Sequence, residues 1–474
     1  MFGYRSLSAQ IILFSLRFLL YFLAFLLIFA GHWIHESFGA PSFEQVLFSV
    51  FYEPSGLAKT DPALIEAGRL WCGVLPLGAT VIVCSIELLL YGLQKWRFPL
   101  APWLGLATGL CFLLTQLSFG AYLRGLFGVD YIGHHYRDPK QSDIKGRRTK
   151  NLIYIYLESM ETGYRDTKLF DKNLIEALDA DALKGVSFAA YRQAPGTNYT
   201  IAAQVATQCG IPLKVILNNA DGNAQGEQVK SFLHSAHCLG DILREHGYYN
   251  VFLQGSSLDF AGQGRFWGQH GFDEVYGTED LLERGYVPGG WGVTDDSLFA
   301  EAKRILPQLR SRRQPFNLTM ALVDTHHTYG ILSQTCKSMG YHELTGIVEC
   351  TALMTADFVR YLRVKGYLRN TQVVIVGDHL AMENTVYDKL LKTDRTIFNV
   401  FVGEGKFKKN REEILHFDLL PTVLNFLGFD LSEGRLGLGY SGFGRLPVEP
   451  DSKRLEEMQQ SLMNQSPSYL ELWR

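Results

Sequence analysis

Long apolar runs come first along this chain and short ones follow. Residues 11–31, 71–93 and 103–123 are nearly unbroken stretches of Leu, Ile, Phe, Val, Ala and Gly. Each has about the 20 residues that a helix needs to span a hydrocarbon core. Three such runs inside residues 1–128 predict a transmembrane domain of three helices rather than helices buried in a soluble core. The first run is too long for the apolar part of a cleaved leader and shows no small-x-small site, so it is expected to remain as a helix.

A polar, basic linker follows at 129–150, with Gly133, Pro139 and Gly146 as breakers. Beyond it the pattern changes to short apolar runs rich in strand formers: Asn151 to Leu157, Tyr249 to Leu253, Phe316 to Val323, Gln372 to Val376 and Ile397 to Val402. Amphipathic stretches such as Asp296 to Leu309 and Cys350 to Leu368 lie between them. Apolar strands alternating with helices predict an α/β domain over 151–474, with a mostly parallel sheet covered on both faces. In such sheets ligands bind beyond the carboxyl ends of the strands.

Composition refines this picture. Charged residues are 20% of the chain and aromatic residues 13%, which excludes a disordered chain and suits a lipid-soluble part joined to a water-soluble one. The net charge of −3 offers no electrostatic footprint for nucleic acid. Arg5, Lys95 and Arg97 flank the apolar runs, whereas the loop from His32 to Gly68 has Lys59 against five acidic residues; basic residues mark the cytoplasmic side, so the N-terminus is expected there and the later domain outside. Lys145, Arg147, Arg148 and Lys150 stand on the side so called external, against the rule. Cys72, Cys84 and Cys111 fall in the apolar runs, as small packers. Cys209, Cys238, Cys336 and Cys350 fall in the later domain, where an oxidising compartment permits pairing; Cys336–Cys350 and Cys209–Cys238 are expected because each pair is close in sequence. Arg17 and Glu87 each lie within an apolar run at a similar depth, which predicts an ion pair between the first two helices.

The chemistry sits after the strands. Asn151–Leu157 ends in Glu158-Ser159, Phe316–Val323 in Asp324-Thr-His-His327, and Gln372–Val376 in Gly377-Asp-His379. Pro195-Gly-Thr-Asn-Tyr-Thr200 opens into a helical run from Ile201. A turn, a helix cap or a surface carboxylate explains each piece alone. Together at one sheet edge they point to a divalent metal site with oxygen and nitrogen ligands around a hydroxyl at a helix N-terminus, where negative charge is favoured. A hydroxyl so placed is a nucleophile suited to a phosphoester.

Asn151 to Ser159, Gly196-Thr-Asn-Tyr-Thr-Ile201, Gln208-Cys-Gly-Ile-Pro-Leu213, Gly271-Phe-Asp-Glu-Val-Tyr276, Asp324-Thr-His-His327, Val376-Gly-Asp-His379 and Phe417-Asp-Leu-Leu-Pro-Thr422 resemble the phosphoglycerol transferases of bacterial envelopes. That family stands with lipoteichoic acid synthase and the phosphoethanolamine transferases in the alkaline phosphatase and sulfatase superfamily. The resemblance covers roughly residues 151–442, with 200–213 its most specific part. It implies Glu158, Thr200, Asp378 and His379 as ligands of a divalent metal (manganese first, with magnesium or zinc as alternatives) and Thr200 as nucleophile. It implies that His326 contacts the substrate phosphate, with His327 and Trp291 also lining the substrate site. Phe260 to Gln263 lacks the Trp and Arg with which lipoteichoic acid synthases hold glycerol phosphate, which fits the branch that decorates periplasmic glucans better.

The implied activity is transfer of phosphoglycerol from phosphatidylglycerol to an envelope glycan through a phosphothreonine, by a multi-pass protein of the bacterial inner membrane with its catalytic domain on the outer side. Phosphoethanolamine transfer to a lipid-anchored sugar is the alternative on the same fold. A membrane-tethered, non-catalytic glycan-binding domain is the alternative without chemistry. A true sulfatase is disfavoured, because Cys209-Gly-Ile-Pro212 does not make the Cys-x-Pro-x-Arg signature.

Overall fold

The computed structural model describes residues 7–38, 43, 62–92, 99–125, 127–146, 150–214, 231–444 and 451–474. The chain forms two compact units, one drawn from residues 1–124 and one that includes residues 125–474.

In the first unit, α1 (Leu7–Phe38) packs against α2 (Leu75–Gly92) and α3 (Ala101–Gln116). Two helical stretches, Ile11–Ser37 and Ile65–Tyr91, are long and apolar enough to cross a membrane. The second begins before the expected residue 71 and passes through a wide π turn at Leu70–Val74. The third expected span, 103–123, is not one helix. It stops at Gln116, Ser118 takes a left-handed φ of 52°, and a separate short helix covers Phe119–Gly125. Sixteen residues rise only about 24 Å, short of the roughly 30 Å hydrocarbon core. A continuous apolar run thus hid a backbone break. Gly109 lets α3 meet α1 closely: a Cβ there would lie 2.5 Å from the Ala24 carbonyl oxygen. The basic residues that carried the orientation argument (Arg5, Lys95, Arg97, Arg147 and Arg148) lie outside the described residues.

The second unit is an α/β domain. Its elements in chain order are β1 (Asn151–Leu157), α4 (Thr200–Cys209), α5 (Leu239–Glu245), β2 (Tyr249–Gln254), β3 (Glu274–Tyr276), α6 (Asp295–Ser311), β4 (Phe316–Ala321), α7 (Leu344–Val364), β5 (Thr371–Gly377), β6 (Asn399–Val402) and α8 (Leu419–Leu427). The main sheet runs β6-β5-β1-β4-β2-β3. Five strands are parallel, but β6 pairs antiparallel with β5, so the sheet is mixed rather than uniformly parallel. The sequence pattern located β6 but could not show its direction, because an antiparallel edge strand buried on both faces is as apolar as a parallel one.

The period-2 alternation of β1 divides its side chains between two cores. Leu152, Tyr154 and Tyr156 face the core that contains α4 and α8, while Ile153, Ile155 and Leu157 face the core that contains α6 and α7. Along α6 the buried Leu298, Ala302, Ile305 and Leu309 form one helical stripe. Cys209–Cys238 joins the end of α4 to the start of α5, and Cys336–Cys350 joins α7 to the short helix before it.

Candidate metal centre

β1 and β5 are neighbours in register, Leu157 opposite Gly377. The residues that follow each strand therefore emerge side by side. Ser159 turns the chain with a φ of 53° and donates its N–H to Asp378 Oδ1 at 2.8 Å. The His379 N–H donates to the same oxygen at 2.8 Å, and the Ser159 hydroxyl donates to Glu158 Oε1 at 2.8 Å. These bonds aim Glu158, Asp378 and His379 at one point. Their ligand atoms all lie within 4.8 Å of one another, and all three side chains are buried.

The histidine has the form of a ligand. His379 Nδ1 lies 2.9 Å from the Leu380 carbonyl oxygen, which only accepts, so the proton is on Nδ1. Nε2 then presents its lone pair 3.4 Å from both Glu158 Oε1 and Asp378 Oδ2, with no hydrogen-bond partner among the described residues. A backbone carbonyl holding the far ring nitrogen is the usual support of a metal-ligating histidine. The electrostatics agree. Burial, and then the charge of Glu158, push Asp378 up to about 7. Burial opposes charging His379, yet Asp378 and Glu158 together raise it. Two buried carboxylates and an orphaned imidazole nitrogen fit a divalent cation with oxygen and nitrogen ligands.

Thr200 is the first residue of α4. The preceding Tyr199 is extended (φ −152°), and Ile201 to Cys209 are all buried, which fixes the helix against the sheet. Thr200 Oγ1 donates to Glu158 Oε2 at 3.2 Å. The turn before it needs Gly196, at φ +71°, where a Cβ would lie 2.8 Å from the Met463 sulfur.

The remaining residues singled out in the sequence form a row of rings. His326 lies 4.2 Å from Trp291 and 4.5 Å from His327, measured between ring centroids, and Trp291 lies 5.6 Å from Phe260. His326 Nδ1 donates to the His327 carbonyl at 2.7 Å. His327 is held well below its ordinary pKa by burial and then by the charges of His326 and His379. The Thr325 hydroxyl donates to the Glu158 carbonyl at 2.5 Å and ties this loop to the end of β1.

Sequence reasoning named Ser159 and Thr325 within the strand-end clusters without giving them a role, and it missed His416. Burial holds His416 down to about 3, which leaves it neutral. Its Nε2 donates to the Asp378 carbonyl and its Nδ1 faces the Thr197 hydroxyl, so it stands between a candidate ligand and the turn that carries Thr200. The only hint was a histidine just before Phe417-Asp-Leu-Leu-Pro. A second grouping, Cys238, Asp241 and His270, is not a metal site, because Cys238 is in a disulfide.

Residues 150–429, more than half of the chain, match the family described as Sulfatase. The chain belongs to the sulfatase family. Among relatives, phosphoglycerol transferase I of Escherichia coli O127:H6 (strain E2348/69 / EPEC) is 37% identical over 339 residues, which are 68% of this chain and 42% of that protein. The same-named protein of Escherichia coli O6:K15:H31 (strain 536 / UPEC) is 36% identical with the same coverage. This sulfatase-family chain thus spans about two-fifths of the length of the curated relatives it matches. Among solved structures, the lipoteichoic acid synthase LtaP from Listeria monocytogenes is 17% identical, with 70% of this chain and 96% of that one covered at a TM-score of 0.49.

Proposed function

We propose that this chain is a membrane-anchored, metal-dependent phosphotransferase that moves phosphoglycerol from phosphatidylglycerol to an envelope glycan of the periplasmic-glucan type. The observation that carries the reading is the Thr200 hydroxyl, at the N-terminus of a buried helix and bonded to one carboxylate of a Glu158–Asp378–His379 cluster. Relatives named phosphoglycerol transferase I supply the headgroup. Two apolar helices supply the anchor, and two disulfides suit a domain outside the cytoplasm.

Glu158, Thr200 Oγ1, Asp378 and His379 Nε2 would hold the cation, with manganese the first choice. When bound, it supplies positive charge that acidifies the Thr200 hydroxyl and neutralises the phosphoryl oxygens. Thr200 Oγ1 forms a bond to phosphorus, and the bond from phosphorus to the diacylglycerol oxygen breaks. Glu158 Oε2, already accepting from Thr200, is the nearest acceptor for its proton. Diacylglycerol leaves with a proton on its oxygen. A glycan hydroxyl then attacks the phosphothreonine, and Thr200 recovers its hydroxyl. His326 contacts the phosphate, and Trp291 and His327 wall the headgroup side.

Intact-mass measurement tests this. Supplied with phosphatidylglycerol and no acceptor, the protein should gain one glycerol phosphate, and Thr200→Ala should gain none. A Thr200→Ala protein that turns over normally would remove the nucleophile assignment. Labelled phosphatidylethanolamine in place of phosphatidylglycerol distinguishes the headgroup.

A further inference from the structure

We infer that the buried pair Glu161–Arg395 positions the two ligand-bearing strand ends and so sets the affinity of the metal centre; this rests on the metal-dependent reading above. The β1–β5 ladder ends at Leu157 opposite Gly377. Beyond that point the Asp378 N–H still donates to the Leu157 carbonyl at 3.2 Å, and the loop after β1 is bonded to the segment before β6 through Phe398 N–H to the Met160 carbonyl and Thr162 N–H to the Thr396 carbonyl. The further ties between the Glu158 loop and the Asp378–His379 loop run through side chains.

Glu161 lies three residues past Glu158 and is fully buried, while the Arg395 side chain is partly buried, with 16% of its surface exposed. Arg395 Nε donates to Glu161 Oε2 at 2.9 Å, and Nη2 donates to Glu161 Oε1 at 2.6 Å. The same Nη2 donates to the Ala381 carbonyl at 2.6 Å, while the Ala381 N–H donates to Glu161 Oε1 at 3.2 Å. Ala381 is two residues past His379. One ion pair therefore grips both the carbonyl and the amide of the loop after β5 from the loop after β1. Arg395 is seated in turn over the Tyr387 ring, 4.9 Å from its centroid.

The chemistry of the pair fits placement better than stabilisation. A buried ion pair adds little net stability over apolar side chains of similar volume, because desolvation offsets the attraction. An apolar pair could not hold the amide and carbonyl of Ala381 together. A lysine could not either, since it lacks the planar fork that serves three acceptors. Arg395 also neutralises Glu161, so a third carboxylate near Glu158 and Asp378 adds no net repulsion. Neither residue is a ligand; both act through the loops that carry the ligands.

The test is calorimetric titration of manganese(II) chloride into the full chain in detergent after chelator treatment. Loss of a residue that orients metal ligands weakens binding by about 10–100-fold. Arg395→Lys and Glu161→Gln should each raise the manganese Kd by at least about tenfold. Arg192→Lys, which alters the neighbouring Arg192–Asp394 and Arg192–Glu413 pairs, should leave it unchanged. Arg395→Lys keeps the charge balance, so it carries the test alone if Glu161→Gln does not fold. Unchanged manganese affinity in Arg395→Lys, with a lower melting temperature of the metal-free protein, would make the pair a fold support and overturn the inference. A wild-type protein that binds no manganese while Arg395→Lys folds normally would overturn the metal reading itself, a separate outcome.

Discussion

His416 Nε2 donates to the main-chain carbonyl of Asp378 at 2.7 Å, while Nδ1 lies 3.1 Å from the Thr197 hydroxyl, three residues before Thr200. One neutral ring spans from a candidate metal ligand to the turn of the candidate nucleophile. His416→Ala would leave the buried Asp378 carbonyl without its donor, at a cost of about 1–3 kcal/mol. It would also free the two segments to shift against each other. We expect kcat to fall by about tenfold or more, since misplacement of about 1 Å can cost that much. His416→Gln should recover part of it. Denaturant unfolding and turnover measured on the same preparations check both parts, and a His416→Ala enzyme with wild-type kcat would contradict the positioning role.

Asp378 is a burden to the metal-free fold. Its folded-state pKa is raised from 3.8 to about 7 by burial and by Glu158, so at pH 7.5 its ionised form is held against its environment. One pKa unit corresponds to about 1.4 kcal/mol. Asp378→Asn should therefore stabilise the chelator-treated protein by roughly 1–3 kcal/mol at pH 7.5 and abolish the further stabilisation that added metal gives. Thermal melts with and without manganese report both. A destabilised metal-free variant would mean that the two N–H bonds from Ser159 and His379 outweigh the buried charge.

Much of this centre was legible because strand ends advertise it. Glu158, Asp378 and His379 each follow an apolar strand run, and the β1–β5 register puts them together without further information. Thr200 was legible because a Gly-containing turn led into an apolar helical run. The roles of His416, Thr325 and Arg395 were not, since their partners are main-chain groups or residues more than 150 positions away. The break at Ser118 was invisible for another reason: nothing in an unbroken apolar run marks a left-handed residue. The small strand β3 was missed because three residues give no periodicity to read.

The Cys209–Cys238 bridge joins residues 29 apart in sequence and is anchored on the last residue of α4, the helix that begins at Thr200. In the chain-entropy model a closure of that length contributes about 3–4 kcal/mol. Cys238→Ser with Cys209→Ser should lower unfolding stability by that order and loosen the C-terminal end of α4. Cys336–Cys350 lies on α7, away from α4, and its removal should lower stability by about 3 kcal/mol with a smaller effect on turnover. Peptide mapping without reductant followed by urea unfolding decides it; free thiols at all four positions would refute both bridges.

Asp295 and Asp324 are fully buried and lock the start of α6 to the loop after β4. Asp295 Oδ1 accepts from the Val323 and Asp324 N–H groups at 2.7 and 3.2 Å, and Asp324 Oδ1 accepts from the Asp295 N–H at 3.1 Å. Burial pushes Asp295 up to about 7, and burial together with the Asp295 charge raises Asp324 well above the usual carboxylate range. Both folded-state pKa values are raised, so the folded state binds more protons than the unfolded state above pH 4. Stability from this pair is therefore present at low pH and is lost as pH rises through about 7. Asp324→Asn keeps the acceptor oxygen and removes one charge. Its stability, relative to wild type, should rise between pH 5 and pH 7.5. Denaturant midpoints in saturating manganese, which on the metal-dependent reading holds Asp378 ionised in both proteins, measure that difference, and a constant offset across the range would count against a raised Asp324 pKa.

In the first unit, Arg17 Nη2 and Nε donate to Glu87 Oε1 and Oε2 at 2.5 and 3.1 Å, and the Tyr21 hydroxyl donates to Oε1 at 2.5 Å. The pair joins α1 to α2 within apolar stretches, where separate snorkelling of each side chain to the interface is the competing arrangement. A charge left alone there is expensive, so removing one partner is worse than removing both. Arg17→Gln and Glu87→Gln should each destabilise the chain in detergent by about 2–4 kcal/mol, and the double variant by less than their sum. The difference, a coupling energy of about 1–3 kcal/mol, is what a direct pair requires. Tyr21→Phe should cost about 1 kcal/mol or more in the wild-type background and less when Glu87 is already Gln, because its hydroxyl then faces a neutral acceptor in place of a charged one. Additive effects of Arg17→Gln and Glu87→Gln in a thermal or denaturant series would show that the two side chains reach the interface separately.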